Sequence, residues 1–132
     1  MTALSPSQLD QLVLQLKQDY QTVLAEVRQE LENSGEQHRI DLLNNEPGDS
    51  GDESMASTLA DFNMVVVDRH VHALRDIEAA LRRVKEQTYG VCLDCGDAIA
   101  FARLHAYPTA KRCIECQERH ERSAALSAHP DT

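Results

Sequence analysis

A chain of 132 residues with no Trp, two Phe and a net charge of −9 is short of the apolar bulk a large enzyme core needs, and its helix-forming composition points to one α-rich chain with a thin core. Between Arg39 and Arg69 there is no Lys or Arg, while Asp41, Glu46, Asp49, Asp52, Glu53, Asp61 and Asp68 accumulate. Duplex nucleic acid, which is gripped mainly through phosphate neutralisation, is repelled by such a surface. The opening MTALSPSQLDQL lacks the basic-then-apolar layout of a signal peptide, and no run reaches the ~20 apolar residues of a membrane span, so a soluble cytoplasmic protein is expected.

Ser5-Pro6-Ser7-Gln8 reads as a helix start, with Ser5 as N-cap, Pro6 at the first helical position and Gln8 reaching back in a capping box. Leu9, Leu12, Val13, Leu16, Tyr20, Val23, Leu24, Val27 and Leu31 then recur at three- and four-residue steps as one apolar stripe. The stripe weakens at Asn33-Ser34-Gly35 and resumes through Ile40, Leu42 and Leu43, which allows a break or kink near Gly35. A second stripe, Met55, Leu59, Phe62, Val66, Ala73, Ile77, Leu81 and Val84, follows a capping-box pattern in Ser50 and Glu53 and is interrupted at Arg69 or His70. It predicts a second helix over about 53–88, with no Pro or Gly inside. Neither stripe can be buried alone, so residues 1–88 are expected to form an antiparallel helical hairpin with Leu31 near Val66 and Leu24 near Ala73.

In that arrangement the acidic stretch at about 45–54 lies at the hairpin tip. Its Pro, Gly, Asp and Ser residues are also those of any solvated turn. A calcium loop fits less well, because the D-x-[DN]-x-[DN]-G ligand order is absent.

Cys92, Cys95, Cys113 and Cys116 form a C-x2-C-x17-C-x2-C array. Two such knuckles let four sulfurs converge tetrahedrally on one Zn²⁺, and four protein ligands leave no position for a catalytic water, so the site is structural. Gly96 supplies the backbone freedom such a knuckle needs. Two disulfides or a thioredoxin-like pair are the competing readings; the doubled motif, the missing secretory layout and the absence of a βαβ pattern favour zinc. His105 and His120 read as surface or packing residues, and His70 and His72, two apart on a helix, make a poor metal pair. Residues 89–120 balance Arg103, Lys111, Arg112 and Arg119 against Asp94, Asp97, Glu115 and Glu118, so no basic stripe is available for sequence-specific DNA binding. A helix from about Cys113 to Leu126 closes the finger module, 89–126, and 127–132 reads as a flexible tail.

YGVC-LDCG, the RLHAYPTAKRCIEC segment and the preceding hairpin together resemble the TraR/DksA family of bacterial RNA polymerase regulators, from Asp49 to about Arg119. The resemblance implies a non-enzymatic regulator that binds RNA polymerase and inserts its coiled-coil tip through the secondary channel to modulate initiation, as a monomer. The family's tip pattern D-x-x-D-x-A is matched here by Asp49 and Asp52, with Ser54 where the pattern has Ala. Members that respond to guanosine tetraphosphate carry basic side chains where this chain has Asp76, Tyr107 and Gln117, so weak or absent alarmone binding is implied. Arg69, with Arg75, Arg82, Arg83 and Lys85, offers charge either to an acidic polymerase surface or to solvent alone. A coiled-coil adaptor for another protein and a redox- or zinc-responsive switch are the alternatives to polymerase regulation.

Overall fold

The computed structural model describes residues 3–44, 54–62 and 64–127, the side chains of 42–44, 66, 126 and 127 excepted. The helices run in the order α1 (Pro6–Asn33), α2 (Gln37–Asn44), α3 (Met55–Ala60), α4 (Val65–Lys85), α5 (Phe101–Ala106) and α6 (Ile114–Ser127). They are grouped in two compact units, one of Leu16–Ala79 and the other of Met1–Gln15 with Ala80–Thr132.

The capping box at the start of α1 is reciprocal. The Gln8 N–H donates to Ser5 Oγ at 3.1 Å, and the Ser5 N–H donates to Gln8 Oε1 at 3.0 Å. The break near Gly35 is a Schellman stop. Gly35 adopts φ 75°, its N–H bonds the Glu32 carbonyl, and the Glu36 N–H bonds that of Leu31.

In the unit Leu16–Ala79, the α1 stripe packs as its periodicity requires. Leu24, Val27 and Leu31 are buried with Ile40 of α2, Met55, Ala56 and Leu59 of α3, and Val67, Val71 and Leu74 of α4. The antiparallel sense is fixed by polar contacts along it. Arg69 and His70 meet Glu30, while Tyr20 meets Glu78.

The expectation of one helix over 53–88 is corrected. Ser54 caps α3 by accepting a hydrogen bond from the Ser57 N–H at 3.2 Å. α3 then ends at Asp61, and α4 starts afresh at Val65. Asp61, the C-cap of α3, supplies a physical reason, since an Asp side chain favours caps and turns over helix interiors.

That break shifts the first part of the buried stripe in α4 by one residue. Val67, Val71 and Leu74 are buried where the uninterrupted phase ran through Val66 and Ala73, and the two phases rejoin at Ile77, which is buried as its place in the predicted stripe requires. Ala73 is half-buried, and the side chain of Val66 lies outside the described residues, as do Leu42 and Leu43. His70, read as an interruption, is carried into the interface at 8% exposure. Its two ring nitrogens face carboxylate oxygens of Glu26 and Glu30 at 3.5 and 3.4 Å.

The break also alters where the acidic stretch ends. Asp49 and Asp52 lie outside the described residues, but Ser54 Oγ donates to Glu78 Oε1 at 2.6 Å. Glu78 lies well inside α4 and not at its first turn, so α3 runs back alongside α4. The placement of Ser54 at the far end of a two-helix rod is therefore corrected.

α4 ends in another left-handed stop. Gln87 sits at φ 66°, with the Thr88 N–H bonded to the Arg83 carbonyl at 2.8 Å. Arg82, Arg83 and Lys85 in its last turn complement the helix dipole. Gly90 follows at φ 85°, where a Cβ would also meet Leu4 Cδ1 at 3.1 Å. An L residue in the left-handed region costs about 1–2 kcal/mol. Gln87→Gly should accordingly raise unfolding stability by about 1 kcal/mol, and Gly90→Ala should lower it by at least as much, both read from urea denaturation midpoints at constant slope.

Candidate metal centre

The finger is assembled from short backbone contacts. Val91 pairs with Ala98 in an antiparallel bridge, the Cys92 N–H bonds the Asp97 carbonyl at 2.8 Å, and the Ile99 N–H bonds the Gly90 carbonyl at 2.7 Å. Gly96, at φ 79°, turns the first knuckle and returns its N–H to the Cys92 carbonyl. A bond from the Leu93 N–H to the Lys111 carbonyl at 2.9 Å ties this knuckle to the segment leading into the second. The knuckles are also clamped by charge. Arg112 Nε lies 2.9 Å from Asp94 Oδ2, and Arg103 Nε donates to the Arg112 carbonyl at 2.9 Å.

Apolar support is sparse. Tyr89, Ile99, Leu104 and Ala110 are buried. The Tyr89 hydroxyl donates to the Pro108 carbonyl at 2.8 Å, and burial pushes its pKa up to about 12, with Arg83 pulling the other way.

Within this frame the sulfurs of Cys92, Cys95, Cys113 and Cys116 all lie within 4.8 Å of one another. Cys95 Sγ and Cys113 Sγ are 3.9 Å apart. A tetrahedral zinc with sulfurs at ~2.3 Å requires sulfur separations of about 3.8 Å, whereas a disulfide requires ~2.05 Å. The array fits one metal ion and not two disulfides.

The electrostatics agree with that fit. Burial opposes ionisation of Cys92, yet the N–H groups of Cys95, Cys113 and Asp94 outweigh it and lower the thiol to about 6. Cys116 moves the opposite way, to about 12, chiefly through its contact with Cys113 and then through burial. At Cys95 the Asp97 N–H favours the thiolate, but Cys92 and burial prevail and raise its pKa. Packed sulfurs hold one another's protons until a divalent cation neutralises them, and the centre is that of one structural Zn²⁺. Arg119 Nη1, 3.9 Å from Cys116 Sγ, adds a cation beside the cluster.

Of the other residues that the sequence singles out, Tyr107 lies between the two cysteine knuckles and Gln117 directly after Cys116, whereas Ser54, Arg69 and Asp76 precede them in the chain. Ser54 and Arg69 belong to the unit Leu16–Ala79, and Arg69 is 82% exposed, reaching Glu30 Oε1 at 3.4 Å. Asp76 and Tyr107 are exposed, and Gln117 donates to Glu121 Oε2 at 2.9 Å. Glu78, which binds Ser54, was not selected from sequence. Its signal is a carboxylate four residues after Leu74 and three before Leu81, within the apolar spacing of α4.

Residues 87–122 match the family described as prokaryotic dksA/traR C4-type zinc finger. Over 74 residues the chain is 40% identical to the RNA polymerase-binding transcription factor DksA of Caulobacter vibrioides, covering 56% of this chain and 52% of that protein. It is also 40% identical over 50 residues to the protein of that name from Escherichia coli, covering 38% of this chain and 33% of the other. The chain thus spans about half the length, or less, of these curated relatives. Transcription factor DksA2 from Pseudomonas aeruginosa aligns in structure with a TM-score of 0.64 at 29% identity, over 91% of this chain and 88% of that one.

The purified protein should carry one zinc per chain. Cys113→Ser should reduce that to near zero and, like a strong chelator, remove the helical signal of the finger while leaving that of residues 16–79, measured by metal analysis and circular dichroism.

Proposed function

We propose that this chain, which belongs to the DksA/TraR family, is a non-enzymatic transcription regulator that binds RNA polymerase directly in the cytoplasm. The observation that carries the reading is the dksA/traR-type finger over residues 87–122, joined to helices that pack as an antiparallel pair. Relatives sharing that finger are described as RNA polymerase-binding transcription factors. In this reading residues 1–88 form the docking hairpin, 89–126 the module that holds zinc, and 127–132 a tail.

The acidic loop is the acting element. Asp49 and Asp52 approach the active centre through the secondary channel, where carboxylates meet catalytic metal and basic channel walls, and Ser54 sets the geometry of the loop's end. Arg69, 82% exposed and 3.4 Å from Glu30 Oε1, offers its charge to an acidic polymerase surface. Sequence-specific DNA contact is not part of the mechanism, because the finger's charges balance. The protein acts as a monomer, and guanosine tetraphosphate binds weakly or not at all, since Asp76, Tyr107 and Gln117 offer no cation to its phosphates.

Zinc-loaded protein should bind core RNA polymerase and be displaced by a competitor occupying the secondary channel. Asp49→Asn/Asp52→Asn should retain binding but lose most of the effect on initiation in a promoter-complex lifetime assay, and added alarmone should leave the wild-type effect within about twofold. Failure to bind core polymerase contradicts the reading.

A further inference from the structure

Glu78 of α4 gathers donors from two other segments. Ser54 Oγ donates to its Oε1 at 2.6 Å, while the Tyr20 hydroxyl and the Ala56 N–H donate to its Oε2 at 3.1 and 3.3 Å. The three contacts are part-buried, where hydrogen bonds to a carboxylate are stronger than in bulk water. Ser54 is used twice, since the same hydroxyl caps α3 by accepting from the Ser57 N–H. An Ala at this position supplies neither bond.

We propose that Glu78, Ser54 and Tyr20 form a latch that holds α3 folded back along α4, and that releasing it lets α3 and α4 join as one continuous helix. This rests on the proposed function only for its biological use; the latch itself is a property of the free chain.

The segment between α3 and α4 is suited to both states. It contains no Gly or Pro. Helical bonding continues into it, with the Asp61 N–H on the Ser57 carbonyl and the Phe62 N–H on that of Leu59. Asp61 itself is helical at φ −69°, ψ −15°. The apolar phase can also be read two ways. Met55, Leu59, Phe62 and Val66 follow one another at helical steps if no break exists, whereas the folded-back state uses Val67. Three successive valines at 65–67 serve either register, and Val65 is left 86% exposed in the present one.

The folded-back state buries Met55, Leu59 and Phe62. Opening uncovers that face, so the latched state dominates until a partner covers it. Ser54 would then move from contact with Glu78 to about 36 Å away at 1.5 Å per residue.

The test uses full-length, zinc-loaded protein without polymerase. Spin labels are attached through p-acetylphenylalanine at the exposed positions Ser57 and Arg75, which spares the four cysteines, and their separation is read by pulsed electron paramagnetic resonance. One continuous helix places these backbone positions about 27 Å apart, whereas adjacent packed helices have axes ~10 Å apart. The wild type should show the short distance, and Glu78→Ala should increase the long-distance population at least fivefold with helicity retained. Ser54→Ala and Tyr20→Phe should each produce a smaller shift in the same direction, and they decide the matter should Glu78→Ala fail to fold. A wild type already at the long distance, or folded variants that all keep the wild-type distribution, would overturn the latch. Loss of polymerase binding alone would count against the proposed function and leave this result intact.

Discussion

Apolar side chains are scarce in this protein, and each of its two units meets that shortage differently. In Leu16–Ala79 four helical segments share one narrow cluster, so Leu24, Val27 and Leu31 of α1 are covered by side chains from α2, α3 and α4 together. A two-helix arrangement would leave part of that surface wet. The doubling-back of α3 is therefore a packing solution as well as a turn, and it brings Ser54 to Glu78.

In the finger the shortage is more severe, because Tyr89, Ile99, Leu104 and Ala110 supply little volume beside the cysteines. Four convergent sulfurs replace a core there. They can do so with a divalent cation between them, which the four sulfurs, all within 4.8 Å of one another, are placed to hold. Folding and metal binding of this segment are thus one process. The Arg112–Asp94 pair and the Leu93–Lys111 backbone bond align the knuckles so that the sulfurs converge.

Local rules were legible in the sequence to the extent that they are local. The Ser5–Gln8 capping box, the stop at Gly35, the α1 stripe and the doubled cysteine knuckle involve residues whose spacing states their geometry. The break at Asp61–Met64 was missed because helical periodicity at Met55, Leu59, Phe62 and Val66 is satisfied across it, and three consecutive valines conceal a one-residue change of phase. Glu78 was missed for a different reason. Its partners lie 22, 24 and 58 residues away, and no local pattern reports such a meeting. His70 likewise reads as a polar interruption until Glu26 and Glu30 are seen to flank its ring.

The proposed function turns on where the acidic loop goes on RNA polymerase, and site-specific photocrosslinking reads this most directly. With p-benzoylphenylalanine replacing Ser50, between Asp49 and Asp52, irradiation of the complex with core polymerase should give adducts mapping to the walls of the secondary channel, abolished by a competitor that fills it. Adducts confined to another surface of the polymerase, or adducts unaffected by that competitor, would contradict the account.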